Sequence, residues 1–501
     1  MEERMSRSFV LSVDQSTQGT KAVLFAEDGT VVAKTARPHT QIVNELGWVS
    51  HDPEEIMTNV LAVCRDVCKR AGVRPGEVKA FGISNQRETC LAWDRETREP
   101  LADAVVWQCG RAKGVCDQLA ASREGMARRV KELSGMDLSP YFSASKMAWL
   151  LRNQPAVQEA ADRGTLCLGT IDSWLVFKLS EEHAFLTEPS NACRTQLLDL
   201  HAGAWSNELC DYFGVPRRAL ATVVPSDSVF GHTTLGGLFP DAVPICGVLG
   251  DSQAALAAQN CLEMGDTKAT YGTGSSVMMQ TGPEVVESQN GLVSSIAWDF
   301  GGKRSYVLEG NLNYTGAVIT WLKDQMGLIS DPGEVEAVIA KANPADRAYF
   351  VPAFTGLGAP WWDPEATGML TGVTRTTGRA EMVKACAECI PYQVVDVVAA
   401  LRADSGIEVG ELRVDGGPTR NAYLMQMQAD VANASVVVSS LAELSAAGAA
   451  FVAGRSEGVW QANEIYNRVT RSYYVPKMDE ATRTAKVDGW HAAVRQVKAH
   501  D

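Results

Sequence analysis

The chain has no basic excess. Its 46 lysines and arginines face 60 aspartates and glutamates, a formal net charge of −14. That argues against a nucleic-acid or anionic-membrane partner, since both need a positive surface. Any phosphate is therefore expected in a local site. Long apolar runs are missing too: none approaches the ~20 residues that cross a bilayer. The charged stretch Met1 to Arg7 meets a strand-like segment without the apolar core of a secretory leader. The 12 cysteines show neither a disulfide framework nor paired zinc-ligand spacing, so a cytoplasmic setting without membrane insertion is expected. Cys386 and Cys389 form a CxxC inside a helical pattern from Ala380 to Leu401, where a structural origin fits. Cys64 and Cys68 lie on an apolar helical stripe with Ile56, Val60, Val63 and Val67. No low-complexity segment or long linker interrupts the chain.

What is present, 501 residues, exceeds one hydrophobic core and fits two large α/β units. The first informative segment is Asp14-Gln15-Ser16-Thr17-Gln18-Gly19-Thr20-Lys21, between the apolar runs Phe9 to Val13 and Ala22 to Phe25. It reads as a hairpin for phosphate: an acid at a strand end can recruit Mg²⁺, Gly19 lets backbone N–H groups approach anionic oxygens, and Lys21 adds charge. A further strand is expected at Val31 to Ala33. A second hairpin, Thr270 to Ser276, precedes the apolar run Val277 to Met279. Two such hairpins in opposite halves can face each other across a nucleotide. A boundary near Asn260 divides the chain into residues 1–259 and 260–501.

Several polar clusters stand at strand ends, where open α/β sheets bind ligands. Asp52-Pro53-Glu54-Glu55 predicts a capping box and a helix to about Arg70, ended by Ala71-Gly72. The strand Val78 to Ser84 then delivers Asn85-Gln86-Arg87-Glu88-Thr89. Gly247 to Gly250 delivers Asp251 to a helix from Ser252 to about Gln259. Ile407 to Val414 delivers Asp415-Gly416-Gly417, followed by a helix through Leu424 and Met427.

Together these motifs resemble the FGGY carbohydrate kinases, of the superfamily that holds hexokinases, actin and heat-shock chaperones, and among them most the members that phosphorylate glycerol. The resemblance covers nearly the whole chain: Asp14-Gln15, Gly47-Trp48-Val49-Ser50-His51, Asn85 to Thr89, Val106 to Cys109, Pro140 to Ser143, Gly250-Asp251, Tyr271 to Gly274, Val351 to Pro360 and Asp415 to Gly417. It implies an α/β fold of two actin- and hexokinase-like (ribonuclease H-like) duplicated lobes with the active site between them. It also implies ATP-dependent, Mg²⁺-assisted phosphorylation of a small polyol, first glycerol to glycerol 3-phosphate. A larger polyol or a ketose, such as erythritol or xylulose, is the alternative within that chemistry, and an actin- or chaperone-like nucleotide switch is the alternative outside it. A homodimer or homotetramer would be in keeping with the family.

By this resemblance Asp251 is the general base and Asp14 lies near the metal. Arg87, Glu88, Trp107, Tyr141, Asp251, Ser252 and Ser276 line the acceptor site. Asp14, Gln15, Ser16, Thr17, Gln18, Lys21, Thr273, Gly274, Gly316, Thr320, Gly417 and Asn421 fall at nucleotide positions. The chemistry is coherent: an arginine fork and a carboxylate can engage adjacent hydroxyls while aromatic faces cover C–H groups. Singly, each residue has a plainer origin: Arg87-Glu88 as a surface ion pair, Trp107 and Tyr141 as core, Asp251 as a helix cap.

Four positions depart from the glycerol-specific pattern, which usually has phenylalanine at Ser276, glutamine at Ser252, arginine at Lys21 and often glutamine at Thr320. Losing an aromatic wall at Ser276 is expected to widen the acceptor end. Pro391 predicts a kinked helix. The loop Thr233 to Pro240 lacks the arginine through which some bacterial members bind a sugar bisphosphate, so that feedback is not expected.

Overall fold

Alternation decides the first sheet. In β1 (Phe9–Gln15) Phe9, Leu11 and Val13 enter one core and Val10 enters another on the opposite face, so the strand is buried on both sides. The computed structural model describes residues 7–461 and 465–498; the charged N-terminal stretch up to Ser6 lies outside them. β1 pairs antiparallel with β2 (Gly19–Ala26), which pairs with β3 (Val31–Pro38), a longer strand than its apolar start predicts. Helix α1 (Pro53–Ala71) covers one face. Asp52 caps it by accepting from Glu54 N, and Gly72, at φ 61°, ends it. The expected box does not close, because Glu55 accepts instead from Thr40 N and Oγ1.

Strands β4 (Val78–Asn85), β5 (Val229–Thr233) and β6 (Val243–Gly250) complete a sheet of order β3-β2-β1-β4-β6-β5, with β1, β4 and β6 parallel. All three parallel strands end at the same edge, where Asp14, Asn85 and Gly250 stand. Helix α2 (Asp251–Ala258) follows β6 directly. Residues 42–51, between β3 and α1, join residues between β4 and β5 in a second, five-stranded sheet, which packs with a layer of helices around its own core.

The second half repeats this plan. Strands β7 (Thr267–Tyr271), β8 (Ser275–Gly282), β9 (Val293–Phe300) and β10 (Lys303–Leu312) are antiparallel neighbours, and β11 (Glu411–Gly416) and β12 (Ser435–Ser439) run parallel to β7. With β13 (Arg471–Tyr474) at the edge, the order is β9-β10-β8-β7-β11-β12-β13. From each first strand the sheet thus reads antiparallel strands one way, two in the first sheet and three in the second, and two parallel strands with an antiparallel edge the other way. Ala269, Tyr271, Val277, Met279, Leu308, Leu312, Leu412 and Val414 form the core face. The register places Lys268, Thr270, Ser276, Glu309, Asn311, Arg413 and Asp415 on the opposite face, toward the first half.

Helix α3 (Gly316–Asp324) follows β10, and α4 (Arg379–Ser405) runs unbroken through Pro391. Cys386 and Cys389 are buried on it, and burial pushes both thiols up, as it does those of Cys64 and Cys68. Helix α5 (Ala422–Ala432) precedes β12. Helix α6 (Leu444–Ser456), although it belongs to the C-terminal segment, packs on β1, β4, β6 and α2 of the first half. The approach is tight: a Cβ at Gly448 would stand 1.8 Å from Ala254 O, and one at Gly247 2.5 Å from Ala449 O. Among the described residues no helix is long and apolar enough to cross a membrane.

Candidate active site

The strand ends of both halves converge on a cleft of about 650 Å³, lined by Asp14, Lys21, Asp251, Lys268, Asp415 and Gly417, with Ser252 and Glu443 also on its wall. Asp14 is buried, accepts from Ser84 Oγ at 3.1 Å, and has its pKa raised to about 7 by burial and by Asp251. Lys21 pairs at 2.9 Å with Glu443, which also takes Lys34 at 3.0 Å. Opposite them, buried Lys268 donates to Thr270 Oγ1 at 3.0 Å, and Thr270 Oγ1 donates to Asp415 at 2.8 Å. Burial pulls the Lys268 pKa down.

At the inner end, Arg87 Nε lies 3.3 Å from Asp251 Oδ1, and its two Nη atoms donate to Glu309 at 3.0 and 2.8 Å. Its fork is thus already engaged by protein. Gln253 Oε1 takes a further Arg87 bond at 3.3 Å. Glu309 also accepts from Arg194 Nη1 at 3.1 Å and from Ser276 Oγ at 2.8 Å. Arg194 Nε donates to Glu88, a residue held at φ 60°. Burial works against the charge of Glu309, but Arg87 and Arg194 hold its carboxyl well below the usual range. Arg194 is wholly buried, and its Nη2 has no partner among the described residues.

The aromatic pair is also assembled. Trp107 and Tyr141 meet edge to face with centroids 5.4 Å apart, and Trp107 Nε1 donates to Thr17 Oγ1 at 2.8 Å, joining this pair to the first hairpin. Buried Lys146 holds the main-chain carbonyls of Tyr141 and Phe142, and burial lowers its pKa to about 8. Gln15 Oε1 accepts from Gln86 Nε2 at 3.0 Å, Ser16 Oγ donates to Gly19 O at 2.9 Å, and Gln18 is exposed.

The remaining residues expected at nucleotide positions form a second group. Gly316 N donates to Gly272 O at 2.9 Å and Ala317 N to Thr273 O at 3.1 Å; a Cβ on Gly316 would lie 2.4 Å from Gly272 O, so only glycine fits there. Gly274 lies in the same knot. Thr320 is exposed and turns back to Gly316 O at 3.4 Å. Asn421 caps α5 by accepting from Leu424 N at 3.1 Å. Neither lines the cleft.

Sequence reasoning missed Glu309, Arg194, Gln253, Lys268 and Glu443. Glu309 had a signal, a lone acid in the apolar strand Tyr306 to Leu312. Lys268 had one too, sharing a face with Thr270. For Arg194 there was none.

The sequence matches the N-terminal domain of the FGGY family of carbohydrate kinases over residues 9–258 and its C-terminal domain over residues 267–457. The chain belongs to this family. It is 43% identical over 491 residues to glycerol kinase 1 of Thermotoga maritima, covering 98% of this chain and 99% of the relative. To the glycerol kinase of Shewanella piezotolerans it is 41% identical over 496 residues, covering 99% and 100%. The crystal structure of Plasmodium falciparum glycerol kinase with ADP superposes with a TM-score of 0.93 at 33% identity, covering 99% of each chain. A xylulose kinase from Lactobacillus acidophilus shares the fold, with a TM-score of 0.87 at 22% identity and coverage of 98% and 99%. The protein is therefore an ATP-dependent carbohydrate kinase with the family's two-part α/β fold.

Proposed function

We propose that this kinase transfers the γ-phosphate of ATP to a hydroxyl of a small polyol, with glycerol giving glycerol 3-phosphate. The observation that carries the reading is the pairing of Arg87 with Asp251 at the inner end of the cleft, linked through Glu309 and Arg194 to Glu88. The names of the relatives support glycerol as the acceptor. Residues 1–259 would supply the acceptor site and first phosphate hairpin, and 260–501 most of the nucleotide site, with Thr273, Gly274, Gly316 and Gly417 along it.

Asp251 is placed to orient the acceptor hydroxyl and to take its proton as the oxygen attacks the γ-phosphorus and the bond to the β-phosphate oxygen breaks. Its carboxylate faces the cleft, with its side chain 35% exposed, and its Oδ1 accepts from Ser252 N at 2.6 Å, which fixes its direction. Trp107 and Tyr141 cover the apolar edge of the acceptor, and Lys21 can turn from Glu443 to phosphate.

The residues fit Mg²⁺ delivered with the nucleotide. Among the described residues no three His, Cys, Asp or Glu side chains form a metal cage, whereas Asp14 is a single buried carboxylate whose ionisation a nearby dication would favour. Magnesium is commonly held this way, by one or two carboxylates with substrate phosphates and water. Asp14 would hold the ion, which when bound would neutralise charge on the β- and γ-phosphates.

One observation favours a longer acceptor. Ser276, on the cleft-facing side of β8, is small and spends its hydroxyl on Glu309, leaving no aromatic wall there. A coupled ADP-release assay over glycerol, erythritol, xylitol and xylulose tests both readings. Stimulation by one polyol far above the acceptor-free rate supports polyol kinase activity; a flat panel refutes it. A cytoplasmic location is proposed with this activity, from the reduced cysteines and acidic composition.

A further inference from the structure

Five side chains alternate in charge along the inner end of the cleft: Asp251, Arg87, Glu309, Arg194 and Glu88. Four come from the first half. The central one, Glu309, comes from β10 of the second, and is itself fully buried. It takes both Nη atoms of Arg87 and one of Arg194, so neither guanidinium has another full counter-charge on that side. Remove the carboxylate and two buried like charges face each other in a low dielectric, which displaces both. Arg87 would then leave Asp251, and Arg194 would leave Glu88.

We propose that Glu309 is a positioning residue of the acceptor site, through which the second half sets Arg87, Glu88 and Asp251 in their polyol-binding arrangement. The site therefore exists only while the two halves are in register at this end. The inference rests on the acceptor reading of Arg87 and Glu88 given above. A buried ion network is weak evidence for stability alone, since packed apolar residues often serve as well. What marks this one is that both of its arms end on side chains assigned to the acceptor.

The test compares the wild-type protein with Glu309→Gln and Glu309→Asp by acceptor kinetics and by calorimetric titration of ADP. Glu309→Gln keeps the shape and loses the charge; kcat/KM for the acceptor should fall about 100-fold, the effect of ~1 Å of misplacement, while the Kd for ADP stays within about twofold. Glu309→Asp restores the charge and should recover about tenfold of that loss. Merely structural damage would weaken ADP and acceptor together. The proposal is overturned if acceptor kcat/KM stays within about threefold of wild type, if ADP binding falls in step, or if neither variant folds. A wild-type protein that phosphorylates no polyol in the panel overturns the acceptor reading first, and this inference with it, before any variant is made.

Discussion

Replacing Asp251 by asparagine separates chemistry from binding. The amide keeps an oxygen for Ser252 N, whose bond to Oδ1 is 2.6 Å, and so preserves the start of α2. What it loses in the folded state is the ion pair to Arg87 at 3.3 Å. With the Asp251 side chain 35% exposed, screening reduces that pair to about 0–1 kcal/mol, and Arg87 retains Glu309. Folding should therefore change little. Turnover should change greatly, because the amide cannot accept the proton of the acceptor hydroxyl. General-base catalysis contributes 10²–10⁴-fold, or about 3–5 kcal/mol of barrier. A second effect runs the other way. Asp251 is one of two main causes that raise Asp14 to about 7. With its charge gone Asp14 should ionise at lower pH, so nucleotide binding with Mg²⁺ should hold or strengthen near neutral pH. The assay is coupled ADP release for turnover and calorimetry for ADP. Turnover above about a tenth of wild type, or ADP affinity lost in proportion to turnover, refutes the assignment of Asp251 as base.

Ser276→Phe should raise kcat/KM for glycerol relative to erythritol or xylulose by roughly tenfold, near 1.4 kcal/mol, by restoring an apolar wall; an unchanged ratio means that Ser276 does not face the acceptor. His51 is buried against Gln41, Gln86 and His39, and burial followed by His39 lowers its pKa from 6.5 to about 3. The unfolded chain binds that proton first, so stability should fall as pH drops from 6.5 toward 3, by up to about 5 kcal/mol. His51→Gln should flatten this slope in acid titrations of the urea midpoint, and an unchanged slope would assign the acid sensitivity elsewhere. Gly448→Ala drives a methyl into Ala254 O and should cost about 3 kcal/mol, the upper part of the overpacking range; a urea midpoint equal to wild type would show that α6 and α2 can separate freely.

The turns were legible in the sequence because they need particular residues. Asp14, Gly19 and Lys21, and later Gly272 and Gly274, stand where apolar alternation stops, and both hairpins lie where those residues predict. Duplication was legible as pattern, and the two sheets repeat it, the second with one further antiparallel strand. Local chemistry misled at two places: Glu55 was drawn to Thr40 rather than to its own helix start, and Ile407 lies before β11, which begins only at Glu411, past the end of α4 at Gly406. The charge network was illegible for a different reason. Glu309 is 222 residues from Arg87 and 115 from Arg194, and pairings at that separation leave no periodicity in the intervening chain.

Helix α6 has a consequence for how this protein is made. The face of the first sheet formed by Val10, Val23, Phe25, Ala80 and Cys246 is covered by Leu444, Ala447, Ala450 and Phe451, residues translated roughly 190 positions after α2. At 5–20 residues per second that is about 10–40 s during which a nascent first half carries an uncovered apolar face. The first half is thus complete in sequence long before it is complete as a folded object. A fragment ending near residue 259 would keep that face open for good, and damage to the chain between Leu444 and Ser456 would be felt first in a sheet whose strands are all complete by Gly250.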